Sequence, residues 1–139
     1  MADLKWAELD LVKGTYATLR GKTSIPRAAV LWQETIDVLK AIPHTASEYV
    51  FTSKQGTRFN KTGRSVEFGR LRDSVGLTLT FESIRDGAYT VAIQAKGVDE
   101  RQAKVLAGHA CGMSDKYVLR NPQYVKDACQ AVYANYGPF

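Results

Sequence analysis

The chain has 139 residues, of which 45% are hydrophobic and 24% charged, and this composition predicts one globular domain over residues 1–139. It excludes collagen-like, coiled-coil and wholly disordered chains, and the absence of any apolar run of about 18 residues predicts no membrane span. The net charge of +5 favours a polyanionic partner only weakly. Residues 1–6 predict no secretion signal, and Cys111 and Cys129 do not form a Cys-x-x-Cys pair, which indicates reduced cytosolic thiols.

Short strands are predicted in the N-terminal part of the chain. Residues 6–12 are rich in apolar side chains and end at the turn signal of residues 13–14. Thr15–Leu19 is β-prone, residues 20–27 are typical of a loop, and residues 28–31 predict a third strand. Together they predict a three-stranded antiparallel meander, which is too small to be stable alone.

Helical periodicity follows this sheet. Apolar residues recur at helical spacing over residues 32–42 and stop at Pro43. Ser65 can cap a helix that runs to about residue 75, with Gly76 just beyond its end. Residues 77–81 alternate between apolar and polar side chains, which predicts an extended segment.

Three further helices are predicted towards the C-terminus. One apolar stripe covers residues 84–95, and a helix capped by Asp99 runs to residue 107 and ends at Gly108. A final helix over residues 122–135 has an apolar face, which predicts packing on its own domain. The sequence therefore predicts an α+β fold, mainly helical, with a small sheet at its N-terminal end.

Five short motifs occur in a fixed order along the chain. They are LKWAELD at residues 4–10, RGKT at 20–23, ESIR at 82–85, LAGH at 106–109 and MSDKY at 113–117. In this order they resemble the Leu-x-Trp strand, the lysine hairpin, the His-x-x-Arg and Leu-Gly-His motifs and the tyrosine segment of one family. That family is the tyrosine recombinases, the phage integrase family of enzymes that break and rejoin DNA. The resemblance covers about residues 4–120.

The resemblance implies a catalytic role for each polar residue of these motifs. Arg85 would bind the oxygens of a phosphodiester with its planar guanidinium, and the phenol of Tyr117 would attack phosphorus to form a covalent phosphotyrosine. Lys22 would give a proton to the departing sugar hydroxyl, and His109 would donate to a phosphate oxygen or help move the phenol proton. Glu82 occupies the position of the family's first histidine. This chemistry requires no metal and no other cofactor.

Two departures from the family pattern favour a second interpretation. The arginine that the family carries just upstream of its Leu-x-Trp strand is not among these residues. Glu82 and Asp86 flank Arg85, and their carboxylates would repel a phosphate or hold Arg85 in ion pairs when DNA is absent. The alternative is therefore a catalytically impaired DNA-binding remnant or fragment of such a recombinase. A helical interaction module unrelated to DNA is a third hypothesis.

A basic segment lies between the sheet and the second half of the chain. Its candidate DNA-binding residues are Arg58, Lys61, Arg64, Arg70 and Arg72. They would grip phosphates without reading sequence, or they form a solvated helix face, and the residues alone leave both readings open.

The resemblance also implies a setting for the protein. Duplex DNA is the expected partner, with a homo-oligomer on DNA that reaches a tetrameric synapse in the family. C-terminal segments of the family often dock on a neighbouring protomer, so the resemblance makes such docking of the final helix the alternative to packing on its own domain. No membrane contact is expected, and the expected location is cytoplasmic, with the nucleoid of a bacterium or with phage DNA.

Overall fold

A computed structural model describes residues 3–19, 25–44, 46–53, 56–58, 61–110 and 121–137, and gives only the backbone at residues 61, 62 and 64. The strands are β1 (Leu9–Asp10), β2 (Thr15–Leu19) and β3 (Pro26–Val30). The α-helices are α1 (Gln33–Ala41), α2 (Lys61–Ser74), α3 (Phe81–Gln94), α4 (Glu100–Ala107) and α5 (Lys126–Tyr136). The predicted α+β fold with an N-terminal three-stranded sheet is confirmed.

The sheet has the order β1-β2-β3, and both pairings are antiparallel. Gly14 turns the chain from β1 to β2 with a φ of +64°, a conformation that glycine adopts without strain. The predicted strand over residues 6–12 is mostly wrong, because residues 6–8 form a 3-10 turn instead. Glu8 closes that turn, since its carboxylate accepts a hydrogen bond from the Lys5 N–H at 3.0 Å. β3 begins earlier than predicted, with Pro26 paired to Leu19.

Two helix starts differ from the prediction. α2 begins at Lys61 rather than near Ser65. α3 begins at Phe81, so the predicted extended segment over residues 77–81 is wrong at its end. Thr80 decides that start: its hydroxyl accepts from the Ser83 N–H at 3.0 Å, and the Ser83 hydroxyl accepts in return from the Thr80 N–H at 3.4 Å.

The last two helices follow the prediction more closely. Asp99 caps α4 by accepting from the Gln102 N–H at 2.8 Å, and Gly108 ends the helix with a φ of +71°. α5 is preceded by a 3-10 turn over Pro122–Val125, so the α-helix starts later than residue 122.

α5 packs on its own chain, as its apolar face predicts. One buried cluster joins β3, α4 and the C-terminal segment, and a second joins α3, α4 and α5. The first contains Ala28, Val105, Val125 and Cys129, and the second contains Ala92, Ala103, Ala128 and Val132. Polar contacts add to this docking: the Trp32 indole donates to the Cys129 carbonyl at 3.3 Å, and the Tyr133 hydroxyl donates to Glu34 at 2.7 Å.

A separate cluster of Leu4, Leu39 and Val50 lies under the 3-10 turn and packs against the side of the sheet. Within the described part of the chain, no helix has the length and apolar character needed to cross a bilayer.

Tyr16 makes the stability of the fold sensitive to alkaline pH. Burial, with the Glu8 carboxylate, raises the pKa of Tyr16 from 10.0 to about 12, although Arg27 acts in the opposite direction. Between about pH 10 and pH 12 the unfolded chain releases this proton and the folded chain keeps it, so the free energy of unfolding falls as pH rises. We expect Tyr16→Phe to make this fall shallower, measured as urea midpoints from pH 8 to pH 11.5. Equal slopes for both proteins would contradict the assignment.

Candidate functional site

Arg85 lies in the second turn of α3 with its side chain 43% exposed, held by two carboxylates of the same helix. Its guanidinium donates to Asp86 from Nη2 at 3.2 Å and from Nε at 3.3 Å. Glu82 Oε1 lies 3.6 Å from the same Nη2. These are the ion pairs that the flanking acidic residues predict. Because all three side chains reach solvent, the guanidinium can exchange these carboxylates for a phosphate at little cost.

His109 follows α4 at a rigid helix end. Its backbone N–H donates to the Lys104 carbonyl at 2.8 Å, and the left-handed conformation of Gly108 makes this contact geometrically possible. The ring is half-buried and lies against Tyr89 of α3, with centroids 4.9 Å apart and planes tilted by 44°. The imidazole is therefore positioned by two elements, the end of α4 and one face of α3.

Tyr89 relates His109 to the helix that carries Arg85. Residues four apart share a face of an α-helix, so Arg85 lies about 6 Å along the axis from Tyr89, whose ring contacts His109. The motif order predicts that Arg85 and His109 meet. The contact with Tyr89 places His109 against α3, the helix that carries Arg85, and the meeting of the two side chains stays a prediction. Tyr89 was not singled out in the sequence. The spacing of four residues from Arg85 is the signal that could have found it.

Lys22 and Tyr117, the other two predicted catalytic residues, lie outside the described residues, and so does Cys111. Their roles remain predictions. Glu82 lies in the first turn of α3 as an ion-pair partner of Arg85.

Gly108 holds the His109 segment through its backbone. An alanine at this φ of +71° is strained, and its Cβ would lie 2.5 Å from Nε of Arg27. We expect Gly108→Ala to lower the free energy of unfolding by more than the about 1–2 kcal/mol that the left-handed backbone alone costs, and to move the His109 ring. Urea denaturation and the ring proton shifts of His109 measure both effects. Gly76→Ala is the control, since Gly76 has a φ of +68° and nothing within 4 Å of the added Cβ. Equal losses from both changes would mean that Arg27 is not in contact.

The described arginines of the basic segment all carry acidic partners. Arg58 binds Asp3 with Nε at 2.7 Å and lies 5.3 Å from the Tyr49 ring, which ties it to the N-terminal segment rather than to α2. On α2, Arg70 pairs with Glu67 at 2.8 Å, and Arg72 pairs with Asp73 at 2.7 Å. Arg70 is 72% exposed and Arg72 is 33% exposed. The side chains of Lys61 and Arg64 are not described. Phosphate contact by this segment therefore remains a prediction.

Among the described residues, no three His, Cys, Asp or Glu side chains gather closely enough to hold a metal ion. The expectation that the chemistry needs no cofactor rests on the resemblance alone.

The described residues therefore form a small antiparallel meander packed on helices, with an arginine on α3 and a histidine just after α4. The sequence profile of the phage integrase family matches residues 1–121, and the chain belongs to this family. Among curated proteins, no sequence matches the chain.

The chain also resembles a solved structure. The crystal structure of XerA recombinase matches it with a TM-score of 0.65 and 19% sequence identity, which shows a shared fold. The match covers 99% of this chain and 52% of the XerA chain, so the chain spans about half the length of that protein.

Proposed function

We propose that this chain is the catalytic domain of a site-specific recombinase, which binds duplex DNA and cuts and rejoins strands through Tyr117. The proposal is supported by membership of the phage integrase family. The observation that supports it most directly is the contact of the His109 ring with Tyr89, which lies four residues along α3 from Arg85. An arginine and a half-buried imidazole that both reach one phosphate would suit an anionic phosphorus centre, whose charge rises from one towards two in the transition state.

In the proposed reaction, the phenol oxygen of Tyr117 forms a bond to phosphorus while the bond from phosphorus to the 5′ oxygen breaks. His109 accepts the phenol proton, and Lys22 gives a proton to the departing 5′ oxygen, which leaves as a hydroxyl. A 3′-phosphotyrosine stores the bond. Rejoining reverses these steps with a 5′ hydroxyl as the nucleophile, so no oxidant, reductant or high-energy cofactor is consumed.

A nicked suicide substrate tests this proposal. Duplexes that the protein retains are first selected from a random pool at low salt, and versions nicked next to each possible cleavage position are then prepared. Cleavage beside the nick releases a short fragment, so rejoining fails and the covalent adduct accumulates. We expect an adduct that survives denaturing electrophoresis and is removed by protease. Binding without any adduct at every nick position would contradict strand cleavage by this chain.

One observation favours the alternative, a DNA-binding remnant with impaired chemistry. Both carboxylates that flank Arg85 contact its guanidinium, so a phosphate must displace them before Arg85 can act. The suicide substrate separates the two functions, because a remnant retains duplexes and forms no adduct. A chain that retains no duplex at low salt would instead be an interaction module unrelated to DNA.

Phosphate binding by α2 predicts a change in salt dependence. We expect the paired changes Arg64→Gln and Arg70→Gln to flatten the plot of log affinity against log salt by about 0.9 for each phosphate that the protein no longer neutralises. Fluorescence anisotropy on a selected duplex measures this slope between about 50 and 200 mM salt. Over that range the affinity of a protein with several phosphate contacts changes about 10³-fold. Lys40→Gln is the control, because Lys40 is exposed in the last turn of α1. A slope like that of the control would identify α2 as a solvated face.

The proposal also implies the assembly and the cellular location that are usual in the family. It implies homo-oligomers on DNA, up to a tetrameric synapse, and a cytoplasmic location with the DNA of a bacterium or phage.

A further inference from the structure

Arg27 lies beside the candidate site, although its sequence position is typical of a loop. It belongs to β3, where it pairs with Thr18 of β2. Its side chain crosses the backbone of Gly108: a Cβ on Gly108 would lie 2.5 Å from Arg27 Nε and 3.2 Å from Cζ. Because His109 is the next residue, the guanidinium of Arg27 and the imidazole of His109 occupy one corner of the domain.

Within the described ranges of the chain, the guanidinium of Arg27 has no counter-ion. Its Nε is buried and makes no hydrogen bond there. Four other described arginines are paired with a nearby carboxylate, namely Arg58, Arg70, Arg72 and Arg85, while the Nε of Arg101 is buried without a hydrogen bond like that of Arg27. Burying a charged donor without a partner is costly, and native proteins rarely leave one in that state. Such a donor is typical of a site whose partner does not belong to the residues around it, as in the binding of an anionic ligand.

The acidic residue of the neighbouring turn does not neutralise Arg27. The Glu8 carboxylate accepts from the Lys5 N–H and from the Thr18 hydroxyl, and it forms no ion pair with Arg27. The charge of Arg27 is felt nearby, since it lowers the pKa of Tyr16 against the opposing effect of burial. A positive charge with no counter-ion among the described residues therefore lies between the sheet and the end of α4.

We infer that Arg27 is a second phosphate-binding guanidinium of this site and donates hydrogen bonds to the phosphodiester that His109 contacts. The inference rests on the proposed function and adds a residue to it. Arginine suits the role because its planar fork donates two parallel hydrogen bonds to phosphate oxygens. The Arg27 side chain lies against the backbone of Gly108, in space that a side chain at position 108 would occupy.

The ordinary alternative is that Arg27 only packs on Gly108 and offsets the negative end of the α4 dipole. Two substitutions distinguish the readings. Arg27→Met keeps an unbranched side chain on Gly108 without the charge, and Arg27→Lys keeps the charge without the fork. Lys40→Gln is the matched control for the loss of one positive charge at an exposed position.

The experiment titrates the full chain with a selected duplex and measures duplex affinity and the ring proton shifts of His109. The chain has two histidines, so the spectrum of His44→Gln identifies the signals of His109. We expect Arg27→Met to weaken binding about 10- to 100-fold and Arg27→Lys to weaken it less. The shift of the His109 ring on DNA binding should shrink in both. The urea unfolding midpoints of both variants should stay close to the midpoint of the unsubstituted chain.

Each outcome decides a separate question. If Arg27→Met binds like Lys40→Gln and the His109 shift is retained, the inference is overturned while the proposed function stands. If the unsubstituted chain binds no duplex, or its His109 ring does not respond, the proposed function fails and the inference fails with it. If Arg27→Met unfolds, the folded Arg27→Lys protein decides, and unchanged binding and ring shift in that protein would overturn the inference.

Discussion

Tyr117→Phe is expected to reduce covalent adduct formation on nicked suicide duplexes to the background of the assay. The substitution removes one oxygen, and that oxygen is the atom that would bond to phosphorus. Duplex affinity should change little, because a neutral phenol contributes at most one hydrogen bond to a phosphate, worth about 1 kcal/mol. The measurement is denaturing electrophoresis of end-labelled duplex, with anisotropy on the same preparation to show that binding persists.

Tyr136→Phe is the matched control, since Tyr136 is 55% exposed at the end of α5 and the same oxygen is removed there. It should leave adduct yield unchanged. Persistent adducts in the Tyr117→Phe protein would identify another nucleophile, and peptide mapping of the protease-treated adduct would locate it. That result would contradict the assignment of Tyr117 without affecting family membership.

Arg85→Gln should slow adduct formation by about 10²- to 10³-fold, the usual loss when one preorganised donor to a developing charge is removed. Arg85→Lys should be nearly as slow, because an ammonium keeps the charge but cannot donate the paired hydrogen bonds of a guanidinium. Single-turnover rates on a suicide duplex measure both. Rates within about threefold of the unsubstituted chain, less than the loss of one ordinary hydrogen bond, would exclude Arg85 from the reaction.

Glu82→Gln tests the opposite direction at the same site. It removes the carboxylate 3.6 Å from Arg85, so the guanidinium is released more easily to a phosphate, and the repulsion of the substrate falls. Exposed ion pairs are worth about 0.2–1 kcal/mol, so we expect adduct formation to rise by up to about fivefold. A loss of activity would instead show that Glu82 serves the reaction directly.

Local signals were enough to predict the elements whose ends depend on neighbouring residues. α4 could be predicted because Asp99 caps it and Gly108 ends it, and both act within one turn. The predicted start of α3 was wrong for a physical reason. The alternation over residues 77–81 imitates a strand, whereas the reciprocal hydrogen bonds of Thr80 and Ser83 favour helix initiation.

The predicted first strand was mostly wrong for a similar reason. Its apolar pattern is real, but Glu8 folds back on the Lys5 N–H and closes a turn, and one hydrogen bond outweighs a weak strand preference in so short a segment. Pairing across the sheet also extended β3 to Pro26, which no property of residues 20–27 taken alone predicts.

The candidate site could be predicted in part. Glu82 and Asp86 were predicted to hold the guanidinium of Arg85, and the ion pairs agree. The meeting of Arg85 and His109 stays a prediction, although the His109 ring does contact Tyr89 of the same helix as Arg85. The approach of Arg27 to Gly108 could not be predicted, because it depends on how β3 packs against the end of α4. Contacts between distant segments are set by tertiary packing, and no local pattern encodes them.

The docking of α5 has a chemical consequence for Cys129. Its sulfur is buried beneath the sheet, where Sγ accepts from the Val30 N–H at 3.3 Å, and burial raises the pKa of the thiol. Thiol reagents attack the ionised form, so this cysteine stays inert while the helix is seated and becomes reactive when the helix departs. The reactivity of Cys129 therefore reports any rearrangement in which the C-terminal helix leaves its packing site to reach another subunit.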